Sequence, residues 1–360
     1  MSTVWLPAQI HLLTGWDPII IFNAIPSLIF PLMPLFVYLT TRRYFVDWYS
    51  LMAPAVVIMG FYFTFHSSLG RVDIAWGFLA GLVWAAIGGR RKLLVLFALL
   101  LTVSHYGTVY LALFAFSLTL VGLLINFATT KKDLIKFEIK IALLVVVVLL
   151  VSTSVWYGIV TAGTGGLVKE VVTRALTMAA VPGSQTYYPN IIEQESMKEE
   201  EVAERKAEYE TDSNLDNFLK LESRDAVVQS AFGMTWPYMN AVQRIELVSS
   251  WLVVIFITAG LLMSIRKGHL THTHLYLSVA FYAFILVSIV VPYISFAYGV
   301  VRMYFTALVV LSSCFIWPVV TLKFKRVTMP LSIIILVVYG LCTSGIMHSL
   351  FGILKVGKYG

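Results

Sequence analysis

The chain has 360 residues, of which 59% are hydrophobic and only 12% are charged, and its mean hydropathy is +0.85. These values exclude a soluble globular domain of this length. Hydrocarbon about 30 Å thick requires roughly 20 apolar residues in a helix, and such stretches recur along the sequence. Segments such as IALLVVVVLLVSTSVWYGIV are apolar on every face, which favours helices over barrel strands. The sequence therefore predicts an all-α, polytopic transmembrane bundle in contact with membrane lipids.

The formal charge of +7 is unevenly distributed. Residues 193–225 contain 12 of the 19 acidic residues and five of the 26 basic residues. Most of the other bases form short clusters between apolar segments, as the positive-inside rule requires of cytoplasmic loops. We therefore expect these bases to mark the cytoplasmic loops, and we expect no nucleic-acid partner.

The hydrophobic pattern predicts about ten spans in chain order. They lie near residues 19–40, 48–65, 72–88, 93–103, 107–127, 138–160, 247–265, 275–296, 300–321 and 328–351. We expect three regions: N-terminal transmembrane helices (1–160), an external loop with a charged, partly helical segment (161–246) and C-terminal transmembrane helices (247–360). The chain is expected in the cell membrane, with its basic loops cytoplasmic and residues 161–246 external.

One tract is too long for a single span. Between Lys92 and Lys131 lie 38 residues without a formal charge, interrupted near the middle by Ser-His-Tyr-Gly at 104–107. A straight helix of that length would measure roughly 57 Å, nearly twice the hydrocarbon thickness. We expect a broken helical hairpin over 93–127, since two crossings also place all the basic clusters on one side.

The hairpin would gather ionisable residues at the external ends of neighbouring spans, with connections at 66–73, 104–107 and 297–302. Ionisable groups at membrane depth usually face a cavity, a partner or a substrate. The candidate binding residues are Arg71, Tyr106, Arg302 and Tyr304, and the candidate catalytic residues are Asp73 and His105, with His66 a weaker candidate.

These residue types suit a phosphate-bearing lipid. Arg71 and Arg302 would clamp phosphoryl oxygens with forked hydrogen bonds. Asp73 or His105 would deprotonate an acceptor hydroxyl or help to hold a divalent metal ion. The structural alternatives are an Arg71–Asp73 pair at a helix interface and an Arg302 side chain that extends to the headgroups. His272 and His274 of the THTH motif are expected to be exposed loop residues.

Four blocks resemble successive parts of an archaeal family of multi-pass membrane proteins of unknown function. They read LPAQIHLLTGWDPIIIFNAIPSLIFPLMPLFVYLTTRRYF, SLGRVDIA, SHYGTVYL and VVPYISFAYGVVRMYFTALVVLSS. That family is similar to glycosyltransferases of the C superfamily, which move a sugar from a polyprenyl-phosphate carrier on the external face. The resemblance marks Arg71, Asp73, His105, Tyr106, Arg302 and Tyr304.

The chain departs from this pattern in two ways. Gly107 stands where the family usually has a hydroxyl residue, which suggests a looser turn. The enzymes also begin with a helix and an external loop that bears a catalytic acid, whereas here Asp17 is the only acid before the first span. The resemblance implies a lipid-linked-sugar glycosyltransferase; the alternatives are a non-catalytic subunit that needs a membrane protein partner and, third, a transporter.

Overall fold

The computed structural model describes residues 11–60, 71–160, 241–268, 270–290, 300–322, 325–344 and 346–347. Within these ranges the chain is helical apart from short connections and contains no strand, which confirms the all-α class. Of the predicted external loop, residues 161–240 lie outside the described residues, as do parts of the predicted connections at 66–73 and 297–302.

The described helices are numbered here in chain order. They are α1 Pro18–Ile29, α2 Leu32–Thr41, α3 Asp47–Ser50, α4 Met52–Ile58, α5 Arg71–Ile87, α6 Arg91–Ser104, α7 Tyr106–Thr130, α8 Asp133–Thr153, α9 Ala241–Lys267, α10 His272–Val290, α11 Val300–Leu311, α12 Ile316–Thr321 and α13 Lys325–Thr343. A π-helical turn, Ser154–Val160, follows α8, and a 3₁₀ turn, Ser312–Phe315, joins α11 to α12.

Four helical stretches are long and apolar enough to cross a membrane. They are Tyr106–Thr130, Arg244–Lys267, Arg302–Thr321 and Arg326–Thr343. The other predicted spans correspond to shorter helices or, for α8, to a helix whose first two turns carry Asp133, Lys136, Glu138 and Lys140. The predicted number of ten spans stays a prediction.

The first predicted span, 19–40, is two helices. Helix α1 ends at Ile29 and α2 begins at Leu32. Pro31 lies between them, and proline disfavours helical backbone in the residue before it while lacking an N–H to donate. Pro31 therefore divides the apolar run 19–40 into two helices.

The long neutral tract folds as the predicted hairpin. Helices α6 and α7 are separated only by His105, whose backbone is extended (φ −153°, ψ 118°). Phe137, in the first turns of α8, packs on Gly89 just before α6 begins. Lys136 lies 5.6 Å from the ring of Phe127, near the end of α7. The start of α6 and the end of α7 therefore meet at one end of the bundle, where α8 begins.

The same end holds the described basic clusters. Arg43 donates from Nη1 to the carbonyl oxygen of Ile87 (2.9 Å), and Tyr44 shares a hydrogen bond with Thr271 (3.0 Å). These contacts bring together the ends of α2, α5 and α9 and the start of α10. We call this the basic end; its cations are Arg42, Arg43, Arg90, Arg91, Lys92, Lys131, Lys132, Lys136, Lys140, Arg266, Lys267 and Arg326.

The opposite end, called here the site end, contains the first turns of α5, α7, α9 and α11 and the last turns of α6 and α13. Helix α11 runs through the middle of the bundle, and nearly all its described side chains are buried. Trp76 of α5 is fully buried against Phe305 of α11, with the ring centroids 4.6 Å apart. The core thus sets the positions of the polar residues at the site end.

Candidate functional site at one end of the bundle

Asp73 lies in the first turn of α5 and is fully buried. Neither of its carboxylate oxygens accepts a hydrogen bond from the residues that the structure describes. A carboxylate in the first helical turn is favoured by the helix dipole, which explains why it is tolerated there. Because burying an unbonded carboxylate is costly, this residue is a candidate for binding or proton transfer rather than a packing residue.

Arg302 is brought to the same end through a buried contact between α5 and α11. Nε1 of Trp76 donates to Oγ1 of Thr306 (2.7 Å), and the same hydroxyl donates to the carbonyl oxygen of Arg302 (2.6 Å). Asp73 lies one turn before Trp76, and Arg302 lies one turn before Thr306. The first turns of α5 and α11 therefore lie side by side.

The side chains of Asp73 and Arg302 do not form an ion pair with each other. Among the residues that the structure describes, neither side chain forms an ion pair within 4.0 Å. A carboxylate and a guanidinium thus stand on adjacent helix turns, each with hydrogen-bonding capacity for a third group.

His105 caps α7. Its Nδ1 accepts a hydrogen bond from the backbone N–H of Thr108 (3.2 Å) and lies 3.0 Å from the hydroxyl of the same residue. A neutral imidazole that accepts at Nδ1 carries its proton on Nε2. The cap therefore occupies the lone pair that a general base would need. Tyr106 stacks at 5.1 Å from the His105 ring and is 41% exposed.

The antiparallel pair α5 and α6 places His105 close to the level of Asp73. Phe97 of α6 packs on Gly81 of α5. Because the helices are antiparallel, a step of seven residues along each helix toward the site end leads to Ile74 in α5 and to Ser104 in α6, which are therefore level. His105 follows directly. The predicted residues of the two helices thus share one end of the bundle.

The last turn of α6 is anchored to the end of α8. The hydroxyls of Thr102 and Ser152 are hydrogen-bonded (2.8 Å), and the hydroxyl of Tyr157 donates to the carbonyl oxygen of Thr102 (2.6 Å). Tyr157 lies in the π-helical turn, a distortion that often marks a functional segment. This polar contact fixes the helix end from which His105 emerges.

Tyr304 is connected through a second tyrosine to a carboxylate that sequence analysis missed. Tyr304 neighbours Tyr339 of α13, and Tyr339 in turn lies close enough to Glu246 of α9 to interact with it electrostatically. Glu246 is 4% exposed. The sequence reading included Glu246 in the external loop, yet α9 begins at Ala241. The signal was an isolated acid beside Arg244 at the start of a long apolar run.

The THTH motif is not an exposed loop, and that expectation was wrong for His274. His274 is fully buried, and its Nε2 lies 3.0 Å from the hydroxyl of Ser313. The hydroxyl of Thr271 accepts from the backbone N–H of His274 (3.4 Å), so the motif begins α10. Burial raises the pKa of the Tyr44 phenol, which is bonded to Thr271, to about 12. Tyr44 is therefore a neutral partner of this cap.

Glu138 of α8 completes the cap of α10. Its Oε2 accepts from the backbone N–H (2.5 Å) and the hydroxyl (2.7 Å) of Thr273, and its Oε1 lies 3.4 Å from Nδ1 of His272. A carboxylate at a helix N-terminus is favoured by both the free N–H groups and the helix dipole. This arrangement joins α8 to α10 at the basic end and has a structural explanation.

The structure brings Asp73, His105, Tyr106, Arg302 and Tyr304 to the site end; Arg71 begins α5, and His66 lies outside the described residues. No group of three or more His, Cys, Asp or Glu side chains converges in the described ranges as metal ligands would. Comparisons of the chain with protein-family models, with curated proteins and with solved structures found no match.

Proposed function

We propose that this protein binds a polyprenyl-phosphate-linked sugar at the site end of the bundle and transfers the sugar to an acceptor hydroxyl. The observation that carries the proposal is the buried carboxylate of Asp73, which accepts no hydrogen bond from the described residues and lies on the helix turn beside that of Arg302. The guanidinium can bind the phosphate through charge-assisted hydrogen bonds, and the carboxylate can accept the proton of the acceptor hydroxyl.

The reaction places each group in a defined role. The acceptor oxygen forms a bond to the anomeric carbon, the bond from that carbon to the phosphate oxygen breaks, and polyprenyl phosphate leaves with the electron pair. Asp73 takes the proton of the acceptor hydroxyl. Arg302 neutralises the charge that grows on the departing phosphate. His105 holds α7 in place, because its Nδ1 is engaged by Thr108.

The topology that accompanies this function is also a proposal. The chain would cross the cell membrane about ten times, with the basic end in the cytoplasm and the site end, with residues 161–246, outside. Four sufficiently long apolar helices support a membrane location, and the collection of the described basic clusters at one end supports the orientation. A carrier lipid would reach the site end from the external leaflet.

The test is transfer of a labelled sugar from its polyprenyl-phosphate carrier by the purified protein. Asp73→Asn is expected to lower turnover by about 100-fold or more, the usual effect of losing a positioned base. Arg302→Gln is expected to weaken carrier binding. Asp133→Asn and Arg326→Gln remove one exposed charge each at the basic end and should leave both quantities unchanged.

Two outcomes would contradict the proposal. Equal turnover in the wild type and in the Asp73 and Arg302 variants would remove both residues from the mechanism. Carrier binding that depends on Arg302, without transfer by the wild type, would instead identify a non-catalytic subunit that acts with a membrane partner.

A further inference from the structure

Three arginines lie at the short turn between α5 and α6 at the basic end, far from the proposed transfer site. The turn contains Gly89, whose positive φ of +64° suits glycine. Arg43 approaches from the end of α2: its Nη1 donates to the carbonyl oxygen of Ile87 (2.9 Å), and its guanidinium lies against Gly88. One arginine is thus fixed on the turn by a backbone contact.

The other two arginines are held by aromatic rings. The guanidinium of Arg90 lies 4.0 Å from the ring centroid of Trp84, and that of Arg91 lies 5.9 Å from the ring centroid of Phe137. Phe137 also packs on Gly89. A guanidinium that lies over a ring still has N–H groups to donate to an acceptor. We call Arg43, Arg90 and Arg91 the arginine corner.

No carboxylate among the described residues neutralises this corner. None of its three arginines forms an ion pair in the described part of the chain. Two carboxylates with described side chains at this end have other partners: Asp133 pairs with Lys136 (2.8 Å), and Glu138 accepts from Thr273. Like charges at one turn repel, and an anion with several acceptor oxygens relieves that repulsion.

The surface next to the corner is apolar and exposed. Leu96 and Leu99 of α6 are 48% and 45% exposed, and Phe137 of α8 is 45% exposed. Leu96 and Leu99 lie on the same face of α6 as Lys92, the residue after Arg91, and Phe137 of α8 lies beside Arg91. The surface therefore offers a charged part for a phosphate and an adjoining apolar part for acyl chains, which a free phosphate would not use.

We propose that the arginine corner is a binding site for the phosphate group of an anionic lipid headgroup, with the acyl chains lying along α6 and α8. The site is independent of the proposed sugar transfer, because it occupies the opposite end of the bundle and uses different residues. The bound phosphate stabilises the turn between α5 and α6 by lowering the repulsion among cations that come from the end of α2, from the turn and from the start of α6.

The experiment measures thermal unfolding of the purified full-length protein in a neutral detergent. Phosphatidylglycerol, phosphatidylcholine and inorganic phosphate are added separately at equal concentrations. Only phosphatidylglycerol is expected to raise the unfolding temperature, and its apparent affinity should fall about tenfold or more in the Arg90→Gln/Arg91→Gln variant, which retains the Arg43 contact to Ile87.

A matched variant separates a site from general charge attraction. Arg266→Gln/Lys267→Gln removes the same charge from exposed residues of the same end, outside the corner, and should respond to phosphatidylglycerol as the wild type does. An equal loss of response in this control would show diffuse attraction and overturn the proposal. So would an equal effect of inorganic phosphate, or no effect of phosphatidylglycerol on the wild type.

Discussion

The indole N–H of Trp76 donates to the hydroxyl of Thr306 across a distance of 2.7 Å, and this buried bond joins α5 to α11 one turn below Asp73 and Arg302. It links residues separated by 230 positions in the chain. The relative position of Asp73 and Arg302 therefore depends on core packing.

Replacing Thr306 with valine should destabilise the bundle. Valine retains most of the volume but removes the acceptor of the indole N–H, which costs about 1–3 kcal/mol for a buried donor. The control is Thr119→Val, since the buried hydroxyl of Thr119 donates only to Ala115 of its own helix and its loss should cost less than about 1 kcal/mol. Denaturant unfolding in detergent measures both; equal losses would show that the bond is unimportant.

Substitutions at His105 separate capping from chemistry. His105→Ala removes the acceptor of the Thr108 N–H and should cost about 0.5–2 kcal/mol, with faster hydrogen exchange in the first turn of α7. His105→Asn offers a side-chain oxygen in the same role and should restore most of the stability. If His105 is only a cap, the asparagine variant keeps its activity in the sugar-transfer assay. Loss of activity despite restored stability would require a direct role for the imidazole.

The hairpin and the placement of the charge clusters were predictable because they depend on the length of the neutral tract and on the spacing of the basic residues along the chain. A straight helix of 38 neutral residues would be longer than the hydrocarbon thickness, and the break falls at His105, whose side chain caps the next helix. The break in the first span was also encoded, by Pro31, but an uninterrupted hydropathy pattern concealed it.

The buried polar contacts could not be predicted from the sequence. The polar neighbours of His274 in the THTH motif are typical of an exposed loop. The packing of α10 against the Ser312–Phe315 turn buries this histidine against Ser313. Glu138 likewise looks like one charge among several at the start of α8, although its partner lies 135 residues away. Glu246 was missed because the acidic loop before it masked the start of α9.

Glu138→Ala should be strongly destabilising. The substitution removes a buried acceptor from the N–H and hydroxyl of Thr273 at the start of α10, and we expect a loss of about 2–4 kcal/mol. Glu138→Gln keeps one carbonyl acceptor and should lose less. Thermal unfolding of the three proteins gives the order, and an alanine variant as stable as the wild type would exclude a cap.

Asp133→Ala is the control for the two Glu138 variants. Its effect on stability should be small and should depend on pH. The hydrogen bond and charge of Lys136 lower the pKa of Asp133, so any stabilisation is present above the ordinary carboxyl pKa and disappears as the pH falls through the lowered value. The pair is exposed, so salt should screen it. A large change at neutral pH would mean that surface charge, rather than the buried cap, determines the response of α8.

Gly260→Ala should prevent normal packing of α9 against the centre of the bundle. A Cβ at this position would overlap the carbonyl oxygen of Cys314 in the 3₁₀ turn, a backbone atom that cannot move aside as a side chain can. We expect a loss of more than about 3 kcal/mol or failure to fold, the result of overpacking against a rigid neighbour. Gly158→Ala is the matched control, since a Cβ there meets nothing within 4 Å. Expression level and size-exclusion profile of the two variants measure the difference. A well-folded Gly260→Ala protein would show that α9 does not approach the turn this closely.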